Sequence, residues 1–349
     1  MRKKNPYVDN AEHTFWDRAI SGKAVGDINP TLGMESFKLS TSDAVMTMGS
    51  CFAQHVSQRL SKAGLNFLVS ESHSDSEALN SQAGYGVFTA RYGNIYTIAQ
   101  AVQLVERCLG KFMGGDVWSF RDSFIDSFRP RAVPGGFISE ELLQLDRQAH
   151  LQATLHGFQS AQVLVFTLGL TEGWKNIETG QIYSIAPGVS GGEFNPNLHK
   201  PFNMSVNDCI SGLNDLVLLL RTINPSLKII LTVSPVPLAA THTNKHVLTA
   251  TISSKAKLRV AAEEISRSNK GIDYFPSFEI VQGLAQPGRY FKSDLHEVEP
   301  RGINHVMRIF FSHYFNEFQI SSPSEISTKS SQEINNSKIL CDDDVFLEL

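Results

Sequence analysis

The chain alternates between short apolar runs and longer amphipathic stretches, and the two periods assign its elements. Four runs are nearly continuous in apolar residues: Ala44 to Met48, Val163 to Leu168 (VLVFTL), Ile229 to Val233 (IILTV) and a weaker one at Ile272 to Phe275. The first three end in Gly, Ser or Pro, as parallel strands buried on both faces do. Between them, apolar positions recur every three or four residues. The clearest case is Val206 to Leu220, with apolar residues at 206, 209, 210, 213, 216, 217 and 220. Ser205 stands as its N-cap, Asp208 complements the helix dipole, and Asn224-Pro225 stops it. Ile95 to Cys108, Ile252 to Ser266 and Ile303 to Phe315 carry similar spacing. Strand and helix in alternation predict an α/β protein, a three-layer α/β/α sandwich around a mostly parallel sheet.

The flanks read differently. Residues 1–40 mix aromatics, Gly and Pro without a period and are expected to form a leader packed on the domain. Residues 41–320 form the α/β domain, and 321–349 open with SSPSEISTKSSQEINNSK, a polar tail expected to be disordered. The stretches 110–160 and 172–204 read as long loops roofing the carboxyl edge of the sheet. Composition narrows the function classes. A net charge of -4 leaves no electrostatic footprint for nucleic acid or an anionic membrane. Four cysteines (Cys51, Cys108, Cys209, Cys341) lie far apart, with no CxxC pair and no ligand-spaced His cluster. That argues against structural zinc and a disulfide framework and suits a reducing compartment. The N-terminal MRKKNPYVDNAEH has no following apolar h-region, and no apolar run reaches membrane-spanning length. The expectation is a soluble, cytoplasmic protein with no metal, cofactor, nucleic-acid or membrane partner, its oligomeric state left open.

In open α/β sheets, ligands bind outside the carboxyl ends of the strands. After the first run comes Gly49-Ser50-Cys51, a small-residue turn into the helical pattern from Phe52 to Leu60. After the second comes Gly169-Leu170-Thr171-Glu172-Gly173-Trp174, and after the third Ser234-Pro235-Val236-Pro237. Near the last lie Asp294 and His296. A nucleophile, turns able to expose backbone N–H groups and a late acid–His pair are the parts of an acyl-transfer site. Each part has a plainer reading. Cys51 can be an inert core thiol beside a helix-capping Ser50, Asn94 the cap of the helix at Ile95, and Glu172 a solvated loop acid. Lys255 and Arg259, at i and i+4, read as solvated. His305 falls off the Ile303, Val306, Met307 and Phe310 stripe and reads as a surface residue. Trp174 and Phe166 read as packing.

Residues 49–53 spell GSCFA, and ARYGNIYT (90–97), FTLGLTEGW (166–174), TVSPVPL (232–238) and SKAKLR (254–259) follow in order. With these segments the chain resembles the GSCFA family, a branch of the SGNH (GDSL-like) hydrolase clan, from about residue 40 to 318. The resemblance implies an SGNH-hydrolase-like, flavodoxin-like fold. It also implies acyl transfer, by an esterase or O-acyltransferase acting on a small-molecule or glycan acyl substrate. The carbohydrate or polysaccharide part rests on clan analogy alone. Laid on the clan's Gly-Asp-Ser block, Gly49-Ser50-Cys51 puts Cys51 at the nucleophile, where the helix dipole favours a thiolate. A shift of one residue makes it Ser50. A thiol leans toward transferase, since a thioester stays activated for an alcohol. Gly93 and Asn94 match the block that supplies an oxyanion donor. Gly169 to Glu172 meets the clan's Gly-x-Asn-Asp with Thr171 in the place of the donor Asn, and Glu172 placed to orient a substrate hydroxyl. The Asp-x-x-His block makes His296 the base, with Asp294 one residue out of register as its orienter. These departures support the alternative, a catalytically degenerate SGNH-fold ligand-binding protein. A thiol-redox role for Cys51 lacks a nearby resolving cysteine.

Overall fold

The computed structural model describes residues 5–72, 84–285 and 287–316; the tail expected from 321 onward lies outside them. The strands are β1 (Val45–Gly49), β2 (Val117–Phe120), β3 (Ser123–Asp126), β4 (Val163–Leu168), β5 (Glu172–Asn176), β6 (Ile182–Tyr183), β7 (His199–Asn203), β8 (Lys228–Val233) and β9 (Ile272–Phe275). The principal helices are α1 (Cys51–Lys62), α2 (Ile98–Cys108), α3 (Glu140–Ser160), α4 (Val206–Ile223), α5 (Val247–Ser268), α6 (Ser277–Gln282) and α7 (Pro300–Tyr314).

The four apolar runs form one parallel sheet in the order β1-β4-β8-β9. Successive side chains alternate between its faces. Met46, Met48, Leu164, Phe166, Leu168, Ile229 and Leu231 join a core with α2, α3, α4 and α5. Val45, Val163, Val165 and Ile230 join a second core with α1, α6 and α7. Helices therefore cover both faces, and the strands are nearly continuous in apolar residues, with Thr47, Thr167 and Thr232 buried among them. A parallel bridge from Phe67 to Val45 continues the sheet on the far side of β1. In chain order the sheet thus reads second, first, third, fourth, fifth. The winding reverses at the carboxyl ends of β1 and β4, where such sheets open a crevice.

Two stretches read as loops are built structure. Residues 110–160 hold the β2-β3 hairpin and the 21-residue helix α3. The apolar period of α3 is broken because Leu142 and Leu145 are exposed while Arg147, His150 and Thr154 are buried. Residues 172–204 hold an antiparallel sheet in the order β6-β5-β7. Helix α4 starts with the expected Ser205–Asp208 capping box. The cap of α2 is Thr97, whose hydroxyl accepts from Gln100 N, and not Asn94. Leu39 N donates to the Tyr314 carbonyl of α7 at 2.8 Å, and Lys38 Nζ donates to that of His313. His305 is buried, with Nδ1 2.6 Å from Tyr290 Oη, and is not a surface residue. Among the described residues no helix is long and apolar enough to cross a membrane.

Candidate active site

The reversal point is drawn together by backbone hydrogen bonds. Ser50 N donates to the Thr167 carbonyl at 3.2 Å, Ile95 N to that of Gly49 at 2.8 Å, and Leu170 N to that of Tyr96 at 2.8 Å. Ser234 N reaches the Leu168 carbonyl, also at 2.8 Å. The turn at 49–51, the 93–96 segment, the end of β4 and the end of β8 thus meet at one edge.

Ser50 is the N-cap residue of α1, yet its side chain makes no capping bond. Its Oγ is buried without a hydrogen-bond partner. Gly169 lies against it: a Cβ built on Gly169 would stand 3.0 Å from Ser50 Cβ and from the Tyr96 carbonyl oxygen. Cys51, the first helical residue, is also buried. Gly93 takes a left-handed φ of +71°, and beside it Asn94 Oδ1 accepts from Gln54 Nε2 at 3.0 Å.

Helix α5 supplies the floor. Its Lys255 is 1% exposed and donates from Nζ to the Gly169 carbonyl at 2.8 Å, so it is no solvated cation. The neighbouring Ser254 Oγ accepts from Thr171 N at 3.0 Å. Between them, the two side chains hold both ends of the 169–171 turn. Spacing could have shown this, because 254 and 255 precede the buried Leu258 by one turn on the same face. Arg259, the other supposed solvated cation, pairs with Glu279 at 2.6 Å and Glu263 at 2.7 Å.

The parts around this floor differ from those the clan blocks imply. Thr171 Oγ1 donates to Asn203 Oδ1 at 2.9 Å, and a hydroxyl has one proton to give, so an oxyanion would find none there. Asp294 does not hold the His296 ring. Its Oδ1 accepts from the backbone N–H of His296 at 2.9 Å and of Glu297 at 3.2 Å, closing a tight turn. That displacement by one residue aims the carboxylate at the backbone. The His296 ring instead meets the Pro237 backbone, while its Nε2 is buried without a partner. Burial, and secondarily the Lys255 charge, push His296 below its ordinary value despite Asp294 and Glu297. Glu172 is not a solvated acid. It is buried and accepts from Asn203 Nδ2, Thr241 Oγ1 and the His242 backbone N–H, with His242 Nδ1 at 3.0 Å.

Two features had no signal in the sequence pattern. One is a cleft of about 420 Å³ whose walls include Tyr96, Leu170, Trp174, Tyr183, Phe194 and His242. Trp174 is therefore at once packing and cleft wall, edge-on to Phe194 and His242. The other is a buried ionic network between α3 and the hairpin. Arg129 and Arg147 clasp Asp126 at 2.8 and 2.6 Å, and Arg91 and His150 hold Glu71 at 2.8 and 2.7 Å. Burial would raise the Asp126 carboxyl, but the Arg129 and Arg147 charges prevail and hold it below the carboxylate range. Among the described residues no group of three or more His, Cys, Asp or Glu could hold a metal ion.

A doubly covered parallel sheet, with a serine hydroxyl buried without a partner at its reversal point, defines an α/β protein. The model of the GSCFA family matches residues 44–310, and the chain belongs to that family. None of the curated proteins matches it. Among solved structures it is similar to a family 3 carbohydrate esterase from Clostridium thermocellum. There the identity is 10% and the TM-score 0.34, over 78% of this chain and 94% of that one. It is also similar to an acetyl xylan esterase (Est2A) from the rumen bacterium Butyrivibrio proteoclasticus. That likeness has 11% identity and a TM-score of 0.28, over 80% of this chain and 64% of the other.

Proposed function

We propose that the chain is an acyl-transfer enzyme, an esterase or O-acyltransferase of the SGNH type, with Ser50 as nucleophile and His296 as base. The carbohydrate-like substrate follows from the clan resemblance alone. One observation carries the reading: Ser50 Oγ and His296 Nε2 are both buried and both lack a partner. Each such atom costs about 1–3 kcal/mol, a cost a fold tolerates where the group has work to do. In the proposed step, Ser50 Oγ attacks the acyl carbonyl and its proton passes to His296 Nε2. The leaving alcohol departs with that proton. The Pro237 backbone takes the orienting part that the clan gives to Asp. The developing oxyanion lies at the first turn of α1, whose free N–H groups and dipole favour negative charge, beside Gly93 and Asn94. Cys51 then contributes its backbone N–H, and its thiol fills the core.

Mass spectrometry after reaction with p-nitrophenyl acetate tests this. Wild type and Cys51→Ala are expected to gain one acetyl group, and Ser50→Ala none. The reverse pattern moves the nucleophile to Cys51. The committed Thr171 hydroxyl favours the second reading, a degenerate ligand-binding protein, and wild type that neither captures an acetyl group nor releases p-nitrophenolate catalytically would establish it.

A further inference from the structure

The acid–imidazole pair implied at Asp294 and His296 exists in this protein, but between Glu172 and His242. We infer that His242, held by Glu172, is an acid–base group of the aromatic cleft that takes the proton from a hydroxyl-bearing acceptor bound there. The assignment rests on the acyl-transfer reading of Ser50.

The pair is built rather than incidental. Glu172 opens β5 and is buried, and its two oxygens accept from Thr241 Oγ1, Asn203 Nδ2 and the His242 backbone N–H. Asn203 is itself fixed by Thr171 Oγ1 at 2.9 Å and Lys257 Nζ at 2.8 Å. His242 Nδ1 stands 3.0 Å from Glu172 Oε2, and because a carboxylate only accepts, the tautomer protonated at Nδ1 is the one favoured beside it. That tautomer leaves the Nε2 lone pair on the opposite edge of the ring. His242 is part of the cleft wall, and its side chain is 18% exposed.

The cleft determines the class of ligand. Trp174, Phe194, Tyr183 and Ile185 present apolar and aromatic faces, and His242 stands at the polar pole. An alcohol whose hydroxyl sits on an apolar or ring-shaped body fits both. Leu170 belongs to the cleft wall, and the preceding residue, Gly169, packs on Ser50, the proposed nucleophile. The step balances. The acceptor oxygen bonds to the acyl carbon of acyl-Ser50 while its proton goes to His242 Nε2. The bond from Ser50 Oγ to the acyl carbon breaks, and Oγ is protonated from solvent water, to which His242 Nε2 returns the proton it took, so no net proton is gained or lost.

Benzyl alcohol serves as the probe. With the enzyme acylated by p-nitrophenyl acetate, the ratio of benzyl acetate to free acetate is measured per acyl group captured. His242→Gln is expected to lower that ratio about 100-fold, the range of a general base, and Glu172→Gln to lower it less. In parallel, benzyl alcohol is titrated into unacylated wild type carrying ¹⁵N-labelled histidine. Saturable movement of the His242 side-chain resonances is expected, and its loss in Trp174→Ala. A ratio unchanged in His242→Gln overturns the assignment, and so do resonances that do not move. If wild type captures no acyl group, the failure belongs to the Ser50 reading, and the titration alone then decides whether the cleft binds the alcohol.

Discussion

Gly49 carries a φ of +139°, and a Cβ there would stand 2.3 Å from the Thr167 carbonyl oxygen. The β1 end and the β4 end can approach only because that position has no side chain. Gly49→Ala is therefore expected to cost about 1–3 kcal/mol from overpacking, read as a lower urea midpoint. It should also disturb Ser50, whose N–H bonds the same carbonyl. At His296 protonation decides whether the ring can act. Burial lowers its affinity for a proton, and a base acts only when deprotonated. The acid limb of acyl capture against pH should then lie below 6.5, the ordinary histidine value. A limb above 6.5 would remove His296 as the base. The turn at 49–51 was legible as a strand-to-helix turn from its small residues. That the Ser50 hydroxyl is buried without a partner was not, because that depends on what packs against it.

Helix α3 shows how an element can hide. Its buried face is made of Arg147, His150 and Thr154 as much as of Leu143 and Phe158, so apolar spacing does not reveal it. The helix docks through polar groups: Arg147 pairs with Asp126 on the hairpin, and the His150 imidazole reaches Glu71. Removing one partner leaves a buried charge uncompensated. Asp126→Asn is expected to destabilise the protein by about 3–5 kcal/mol, measured by urea unfolding. Replacing the nearby exposed Asp122 in the same way should change little. By contrast, α4 was legible down to its capping box, since cap, stripe and stop signal all lie within one contiguous stretch.

At the scale of the molecule, the response to acid follows from three imidazoles packed in different places. Burial lowers His55, His150 and His305 to about 4 each, with the Arg59, Arg129 and Arg308 charges acting the same way. Their folded values lie below the unfolded value, so between about 6.5 and 4 the unfolded chain binds more protons. Their contribution to stability is complete above pH 6.5 and is lost as pH falls toward 4. Below that, Asp126 and Glu71, both held under the carboxylate range, add further loss as the unfolded chain protonates near pH 4. Melting temperatures recorded from pH 8 to 4 should hold level above 6.5 and then decline. A level profile down to pH 5 would mean these histidines are hydrated in the folded protein.

The sequence by itself determined the parallel sheet, because strands buried on both faces are nearly continuous in apolar residues, and the helices whose stripes face those strands. It also placed Gly49-Ser50-Cys51 and Gly169 to Glu172 at strand ends, since turn residues follow each run directly. Only the tertiary structure decided which groups meet. Asp294 stands two residues from His296 and does not hold its ring, whereas Glu172 and His242, seventy positions apart, are 3.0 Å from each other. Lys255 lies in a helix that reads as half solvated and reaches the Gly169 carbonyl through the core. Local patterning records burial and backbone conformation, which are properties of neighbours in the chain. A site is a coincidence in space between segments far apart in it, and that coincidence is fixed only when the layers pack.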